Sequence, residues 1–359
     1  MDLQIKKFKD LTDQQIVKYL NQIDSYGLYH CPAVINYQLS TKSACENLSF
    51  FCFDNKIPLA FVPLGIYENN TIKKVSFGDT SCHLPAINIH ISSNLKKKVL
   101  DEIFKKIYLI MKSKNIDYAD FFYHPIFTKK LSTKRTTEIT YSNSFAILKY
   151  FEMEIVTNNT NIIDLRVDKK ELENNLQVRK RKEFKKEFYK QLKFIKINKS
   201  NSTSPEIESH FKDYKDIHFK SSGRKTRQEK SWLNYLQMIK DGLSTLFFLS
   251  YKNELISGII CLDFHDYAVA ASQASLKEEN YLKYSIRSFL EWNVINSYKD
   301  KKFKFYEIGQ TFYFDQKHHN AIDEKHKRIG DFKTRFGANM FPRHYFRIKK
   351  KFKTYYEKI

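Results

Sequence analysis

The same order of predicted secondary-structure elements occurs twice along this chain of 359 residues. In each half, a helix and a loop precede a strand hairpin, a further strand, an amphipathic helix and a closing strand. Helices that alternate with short apolar strands favour an α/β fold, because each element has to bury its apolar face against another layer. A chain of this length corresponds to roughly two domains of about 150 residues each. We therefore predict mixed α+β sheets in two domains, 1–157 and 158–359, the second ending in a basic C-terminal tail.

The predicted elements of the first half follow from periodicity and from turn residues. Thr12 and Gln15 have the spacing of a capping box at the start of a helix. Apolar residues at steps of three and four predict an amphipathic helix over residues 95–113. Asn55 and Lys56 have the composition of a hairpin turn. The predicted strands are residues 49–54, 58–68, 118–125 and 145–156.

In the second half, polar residues 158–161 predict a linker, and residues 168–190 predict a very basic helical segment. Lys252 and Asn253 form a predicted turn between two long apolar strands that end at residue 275. Further helices are predicted at 206–220, 229–240 and 281–298, and a further strand at 302–310.

The formal net charge of +22 admits two interpretations. Such an excess of cations is typical of proteins with a polyanionic partner, such as tRNA, another nucleic acid, a nucleotide-linked substrate or an anionic membrane face. However, 51 of the 62 basic residues are Lys, as an AT-rich genome would produce, and Lys is less suited than Arg to bidentate phosphate recognition. The charge therefore favours an anionic ligand without identifying it.

The cysteines and the apolar segments predict a cytoplasmic protein. The five cysteines are scattered and none forms a CxxC pair, which argues against a disulfide framework or a zinc site and fits a reducing compartment. The N-terminal residues lack the apolar core of a signal peptide, and no apolar run reaches the roughly 18 residues that a membrane span needs. A peripheral membrane contact through basic residues stays open.

Four segments of the second half occur in an order that points to a known group. Residues 163–187 begin the unit, and the hairpin 247–275 and the helix 281–298 follow. The strand FYEIGQ (305–310) then precedes IGDFKTRFGANM (329–340). Together these segments resemble the FemAB-type and BioF-like branch of the GNAT acyltransferase superfamily, whose closing strand is followed by Phe-Lys-x-x-Phe-Gly.

The resemblance covers about 160–345 and implies both a fold and an activity. It implies two tandem GNAT-like (acyl-CoA N-acyltransferase-like) domains and the transfer of an acyl or aminoacyl group to an amine. The acceptor that it implies is an amino group on a sugar nucleotide, a surface glycan or a peptidoglycan precursor.

The donor is left open between acyl-CoA and aminoacyl-tRNA, and no metal is expected. Ordinary GNAT enzymes hold the coenzyme A pyrophosphate in an Arg/Gln-x-x-Gly-x-Gly/Ala loop at a helix N-terminus. No such motif occurs between the hairpin and the helix that begins near 281. Its absence favours aminoacyl-tRNA or a donor that is bound in another way.

Lys333 and Glu307 are the predicted catalytic residues. Acyl transfer to an amine passes through an oxyanion, which the Lys333 ammonium could stabilise, or it could bind a donor phosphate. The alternative is a surface lysine between two core aromatics. Glu307 ends a predicted central strand and could accept the proton of the attacking ammonium if burial raises its pKa. The alternative is a buried, paired carboxylate.

Six further residues are predicted to bind substrate. Arg224 and Arg227 could bind phosphate or carboxylate, and the nearby Trp232 could stack on a base or a sugar. The alternative there is a solvated turn with Trp232 in the core. Gln273, Gln310 and Phe332 complete the set, because they lie at predicted strand ends or in the Phe-Lys-x-x-Phe-Gly pattern.

The rival to an enzyme is a non-catalytic nucleic-acid-binding protein that uses a basic helix at 178–196 and the C-terminal tail. The sequence shows no helix-turn-helix, zinc or RNP signature to support it. Histidines with nearby aspartates near the C-terminus lack a metal-binding spacing and are interpreted as incidental residues of a loop. They are His318, His319, His326, Asp315 and Asp323.

Overall fold

The structure, a computed structural model, describes residues 3–23, 26–42, 45–78, 80–88, 90–124, 154–278, 281, 283–312 and 323–349. The chain divides into two compact units, Met1–Asn158 with Pro342–Ile359, and Asn159–Phe341. The prediction had placed all residues from 158 to 359 in the second domain. The C-terminal segment instead joins the first unit, because its strand pairs with residues 118–123.

The first unit contains two sheets and a long helix. Strands β1, β3, β4 and β8 form one sheet in that order, and β16, β9, β6, β5 and β2 follow one another in the other, with β7 also beside β9. The elements are β1 (Gln4–Lys7), α1 (Asp13–Gln22), α2 (Pro32–Leu39), β2 (Cys45–Asn47), β3 (Phe50–Asp54), β4 (Ile57–Val62), β5 (Gly65–Glu68), β6 (Lys73–Val75), β7 (Cys82–His83), β8 (Ala86–Ile87), α3 (Ser93–Ser113), β9 (Tyr118–Tyr123) and β16 (Asn339–Lys349).

Local sequence accounts for these elements. The predicted capping box is confirmed, since Thr12 Oγ1 accepts from the Gln15 amide at 3.2 Å and Gln15 Oε1 accepts from the Thr12 amide at 2.9 Å. Helix α3 places Val99, Ile103 and Ile107 on one face, and that face is buried in the core of the unit. Of the predicted strand 145–156, only residues from 154 onward lie in the described part of the chain.

A pair of buried imidazoles lies in the first unit, between β7 and the segment before α2. The rings of His30 and His83 are 4.4 Å apart between centroids. His30 Nδ1 accepts from the Gly27 amide at 3.0 Å, so its Nε2 carries the proton and donates to the Leu84 carbonyl at 3.0 Å. Burial lowers the pKa of His30 to about 4. Burial, followed by the charge of His30, lowers the pKa of His83 well below its ordinary value.

We expect the free energy of unfolding to fall as the pH drops from 6.5 towards 4. His30 has a lowered pKa in the folded chain, so the unfolded chain binds the proton first and the loss from this residue reaches roughly 2.5 kcal/mol by pH 4.5. Urea unfolding at pH 7 and pH 4.5 measures this difference. His30→Gln should reduce it, whereas His265→Gln, at an exposed turn, should leave it unchanged. If the free energy of unfolding of His30→Gln falls by as much between pH 7 and pH 4.5 as that of the unmodified protein, His30 is not the source of the loss.

The second unit contains a sheet flanked by helices. The strands follow the order β11, β12, β13, β14, β15 and β10. The elements are β10 (Glu154–Asp164), which contains the boundary between the units, α4 (Lys169–Asn175), α5 (Val178–Glu183), α6 (Glu187–Lys190), β11 (Lys193–Ile197), α7 (Ser204–Ser222), α8 (Glu229–Asp241), β12 (Ser244–Tyr251), β13 (Glu254–Phe264), β14 (Tyr267–Ser275), α9 (Ile286–Asp300), β15 (Phe305–Thr311) and α10 (Glu324–Thr334). None of the helices in the described ranges is both long and apolar enough to cross a membrane.

Two predictions for the start of this unit are wrong. The linker 158–161 lies inside β10, where Thr160 and Asn161 are fully buried and their side chains bond to β15. The basic helix 178–196 is instead two short helices and a strand, α5, α6 and β11. Within it, Lys180 is buried and forms an ion pair with Glu183 at 2.9 Å, so this lysine is not part of a solvated basic face.

Candidate active site

Strands β14 and β15 separate shortly after they meet. They are parallel and pair only over residues 267–269 and 305–307, whereas β14 continues to Ser275 and β15 to Thr311. A register shift against β13 leaves Ala271 without a partner, as in a β-bulge. Beyond the last pair, the two strands diverge and leave space between them.

A cavity of about 750 Å³ occupies this space. Residues 270–273 of β14 and Ile308 of β15 form two of its walls. Arg287 and Glu291 contribute from α9, and Phe332 and Lys333 are among the residues from α10. Its volume lies in the range of small-molecule sites, and charged groups from two helices converge in it.

Glu291 is the buried acid of the cavity. It is 2% exposed, and one of its carboxylate oxygens accepts a hydrogen bond from the Tyr306 hydroxyl at 2.5 Å. Burial raises the pKa of Glu291 to about 7, although the Tyr306 hydrogen bond and the positive charge of Lys333 both lower it. A carboxyl group with this pKa exchanges a proton near neutral pH, as a general acid or base does.

Lys333 brings a cation to the same cavity. Its ammonium donates to the Gln310 carbonyl at 3.0 Å. Burial lowers the pKa of Lys333, while the charges of Glu307 and Glu291 act in the opposite direction. The side chain fits because α10 approaches β15 closely at Gly330, where a Cβ would lie 3.2 Å from the Thr311 methyl group.

Gly309 makes room for the ammonium. A Cβ at this position would lie 2.8 Å from Lys333 Nζ, and the residue has a φ of +109°, which side chains rarely adopt. The pairing of β15 with β10 shifts register between Asn161 and Ile162. Asn161 pairs with Gly309, whereas Ile162 pairs with Glu307. The strand is therefore irregular where the lysine meets it.

Glu307 lies beside the cavity rather than in its lining. It is almost fully buried and accepts hydrogen bonds from the Thr160 hydroxyl at 2.5 Å and from the Tyr267 hydroxyl. This arrangement is the paired buried carboxylate that the sequence analysis gave as the alternative to a base. Its charge acts on the Lys333 ammonium.

The other predicted residues of this region are found near one another. Phe332 lies in the cavity lining, and its ring is 5.4 Å from that of the buried Phe336. Gln273 also lines the cavity, but its amide donates to the Arg287 carbonyl at 3.1 Å. Gln310 contributes its main-chain carbonyl, which binds Lys333.

The predicted arginine segment is outside the lining of this cavity. Trp232 is 7% exposed and packs against Phe211 and Tyr214, so it is a core residue. The guanidinium of Arg227 lies 5.0 Å from the Trp232 ring centre. Arg224 is exposed in the turn after α7. A role of the two arginines in binding substrate stays a prediction.

Of the C-terminal histidines, His326 and Asp323 form the capping box of α10, in which Asp323 Oδ1 accepts from the His326 amide at 2.9 Å. His318, His319 and Asp315 lie outside the described residues. In the described ranges, no group of three or more potential ligands has the geometry to hold a metal ion.

The start of α9 does not fit the pyrophosphate of coenzyme A. The Ser285 amide, at the N-cap, donates to Glu183 at 3.1 Å and to the Tyr189 hydroxyl at 2.8 Å. Burial opposes ionisation of Glu183, but hydrogen bonds from Tyr189, Ser285 and Lys180 outweigh it and lower the pKa to about 2. A charged carboxylate therefore already accepts from the N-cap amide of α9, and its negative charge disfavours a second anion there.

Glu291 and Arg287 were not among the site residues predicted from the sequence. Glu291 lies at helical spacing from Ile295 and Tyr298, which are both buried, so a carboxylate in an apolar stripe was the available signal. Arg287 precedes it by one turn on the same helix. Its importance emerges only when β14 and β15 are seen to diverge, since strand separation cannot be read from composition.

Several solved structures have a similar fold over almost the whole chain. FemX is 11% identical to this chain, with a TM-score of 0.65, and the match covers 96% of this chain and 97% of that one. L-PGS from Bacillus licheniformis is 10% identical at a TM-score of 0.57, covering 94% and 92%. A tandem GNAT protein from the clavulanic acid biosynthesis pathway is 7% identical at 0.55, covering 97% and 99%.

At these identities the likeness shows the fold alone. It confirms the predicted fold, a mixed α/β chain of two GNAT-like domains like those of FemX and of the tandem GNAT protein. No protein-family model matches the chain, and no curated protein sequence matches it significantly.

Proposed function

We propose that this protein transfers an acyl or aminoacyl group to an amine in the cavity between β14 and β15. The observation that carries the proposal is that a buried carboxyl with a pKa of about 7, Glu291, and a cation, Lys333, line one cavity where parallel strands separate. The likeness of the fold to FemX and to a tandem GNAT protein supports the same class of reaction.

In the proposed reaction, Glu291 acts on the acceptor. The ammonium of the acceptor has to lose a proton before its nitrogen can attack a carbonyl carbon. Glu291 is ionised in about half of the molecules near pH 7, given its pKa, and can take this proton. Tyr306 holds the carboxylate in place through its hydroxyl. The attack leaves a second proton to be lost from the nitrogen. One of the two protons passes to the leaving oxygen or sulfur when its bond to the carbonyl carbon breaks, and the other goes to solvent.

Lys333 acts on the carbonyl in this proposal. As the C–N bond forms, the carbonyl oxygen becomes an oxyanion, and a positioned cation can lower the barrier by about 3 kcal/mol. The Gln310 carbonyl fixes the lysine, and Gly309 leaves space beside it. A role in binding a donor phosphate is the second option that the sequence analysis gave for this residue.

An aminoacyl ester of tRNA is the donor that we propose, and an amine of a cell-envelope precursor or a surface glycan is the acceptor. The carboxylate at the start of α9 disfavours coenzyme A. The net charge of +22 favours a polyanionic donor.

Incubation with tRNA carrying labelled amino acids, in the presence of amine-bearing envelope precursors, tests the proposal. We expect the label to move from the tRNA to the acceptor, as followed by chromatography, and to stay on the tRNA with Lys333→Met. If the folded protein moves no label from any charged tRNA or acyl donor, the proposed function is wrong.

We also expect free acetyl-CoA to bind weakly. The Glu183 carboxylate competes with the pyrophosphate for the N-terminus of α9, so the dissociation constant should lie near or above about 1 mM, which corresponds to only ~4 kcal/mol of binding free energy. Isothermal titration calorimetry measures it, with desulfo-CoA as a matched ligand. Tight stoichiometric binding would contradict this expectation.

A further inference from the structure

We infer that Arg287 forms a subsite for an anionic group of the acceptor, so that the cavity takes an amine that carries a carboxylate or a phosphate a few bonds away. This inference rests on the proposed function, because it assumes that the acceptor amine lies beside Glu291. It adds the class of acceptor and the residue that selects it.

The guanidinium of Arg287 can donate further hydrogen bonds. It lines the cavity, and its Nη2 donates to the Ser221 hydroxyl at 3.1 Å. Within the described ranges, no carboxylate forms an ion pair with it. A guanidinium has five N–H donors in a fork that matches carboxylate and phosphate oxygens. An anion in the cavity could therefore form an ion pair with the Arg287 guanidinium, which the neutral Ser221 hydroxyl holds in place.

Arg287 has a neutral imidazole among its neighbours. His218 lies near it, and burial, followed by the charges of Arg227 and Arg287, lowers the pKa of that imidazole to about 4, so it is neutral at pH 7. Arg287, Arg328 and Lys333 bring three cationic side chains to the lining, and Glu291 and Glu324 bring two carboxyl groups. The lining thus has more cationic than acidic side chains, which favours an anionic ligand.

The start of α9 does not provide this binding itself. Its N-cap amide is bonded to the Glu183 carboxylate and the Tyr189 hydroxyl. The side chain of Arg287 lines the cavity, so it is the group that we propose binds the anion.

The position of Arg287 relative to Glu291 sets the size of the acceptor. The two residues are four apart on α9 and line the same cavity, so their Cβ atoms are about 5–6 Å apart. An amine beside Glu291 then has its anionic group about one helical turn away. Amines separated from a carboxylate or phosphate by three or four carbon atoms fit this spacing, and simple alkylamines leave Arg287 unpaired.

Three matched probes test the subsite without any group transfer. They are 4-aminobutanoate, 3-aminopropylphosphonate and butylamine, which share an amine and a three-carbon chain and differ in the terminal group. Ligand-observed NMR titrations at about 150 mM salt, where exposed charges are screened beyond ~8 Å, give their dissociation constants. We expect both anionic probes to bind at least tenfold more tightly than butylamine. The stronger of the two identifies a carboxylate or a phosphate as the natural group.

Arg287→Gln should abolish this preference, and Arg287→Lys should keep part of it, because lysine retains the charge but not the fork. Arg179→Gln, which removes the same charge from an exposed position outside the cavity lining, should leave it unchanged. The inference is overturned if Arg287→Gln prefers the anionic probes over butylamine as strongly as the unmodified protein does. It is also overturned if the unmodified protein binds all three probes equally. Binding through Arg287 without transfer activity would keep the subsite and disprove the proposed function.

Discussion

Lys333→Met should reduce kcat by about 10²–10³ while the protein stays folded, if the ammonium stabilises the oxyanion. Methionine keeps most of the apolar stem that packs beside Gly309 and removes only the charge and the bond to the Gln310 carbonyl. The lost hydrogen bond costs about 1 kcal/mol, and the relief of a buried charge offsets part of it. Steady-state kinetics and thermal unfolding of the same preparation separate the two effects.

Two further variants define the role of this lysine. Lys333→Arg keeps the charge but spreads it over a larger planar group, so activity should return only in part. Lys327→Met removes a lysine of the same helix that is outside the cavity lining and should leave kcat within about twofold. Full activity in Lys333→Met would remove Lys333 from the mechanism and weaken the enzyme proposal. A rise in KM alone would assign the lysine to binding of a donor phosphate.

Much of the fold could be predicted because its elements have clear periodicity. Helix α3 and the hairpin of β12 and β13 follow directly from apolar spacing and from the turn at Lys252 and Asn253, whose φ angles of 49° and 66° suit a two-residue hairpin loop. Beyond residue 156, strand β10 could not be predicted, because Thr160 and Asn161 are polar residues that become buried only when β15 supplies their hydrogen-bond partners.

The candidate site could be predicted only in part for a similar reason. Lys333 and Phe332 stand in a sequence pattern, so a resemblance could point to them. Glu291 owes its raised pKa to burial, and two other elements, β15 and α10, supply the groups that act on it, Tyr306 and Lys333. Glu307 was the more visible carboxylate in the sequence, but Thr160 and Tyr267, which no local pattern connects to it, bond to it in the folded chain.

The pKa of Glu291 has a consequence for stability as well as for chemistry. Because the folded chain holds the proton more tightly than the unfolded one, the free energy of unfolding falls as the pH rises from about 4.5 to 7. Ionising this buried group therefore costs on the order of 3 kcal/mol above pH 7. A residue that weakens the fold at the pH where it would act as a base is a strong candidate for a functional group.

Glu291→Gln should therefore lower kcat/KM by about 10²–10⁴ and raise the free energy of unfolding at pH 8. Glutamine has the same shape, can still accept from the Tyr306 hydroxyl, and has no charge to bury. The unmodified protein should show a rate that rises with pH through about 7 as Glu291 loses its proton, and the variant should lack this rise. A pH–rate profile and urea unfolding at pH 8 measure the two expected changes.

Tyr306→Phe provides the more demanding test of the same assignment. The Tyr306 hydrogen bond lowers the pKa of Glu291, so its removal should raise that pKa and move the rising limb of the pH–rate profile to higher pH. The rate at high pH should fall far less than in Glu291→Gln, because the carboxylate is still present. Glu324→Gln, at the exposed rim of the cavity, should leave the limb in place. If the rising limb of the pH–rate profile stays near pH 7 in both Tyr306→Phe and Glu291→Gln, the limb reports another group. Glu291 would then be a structural residue.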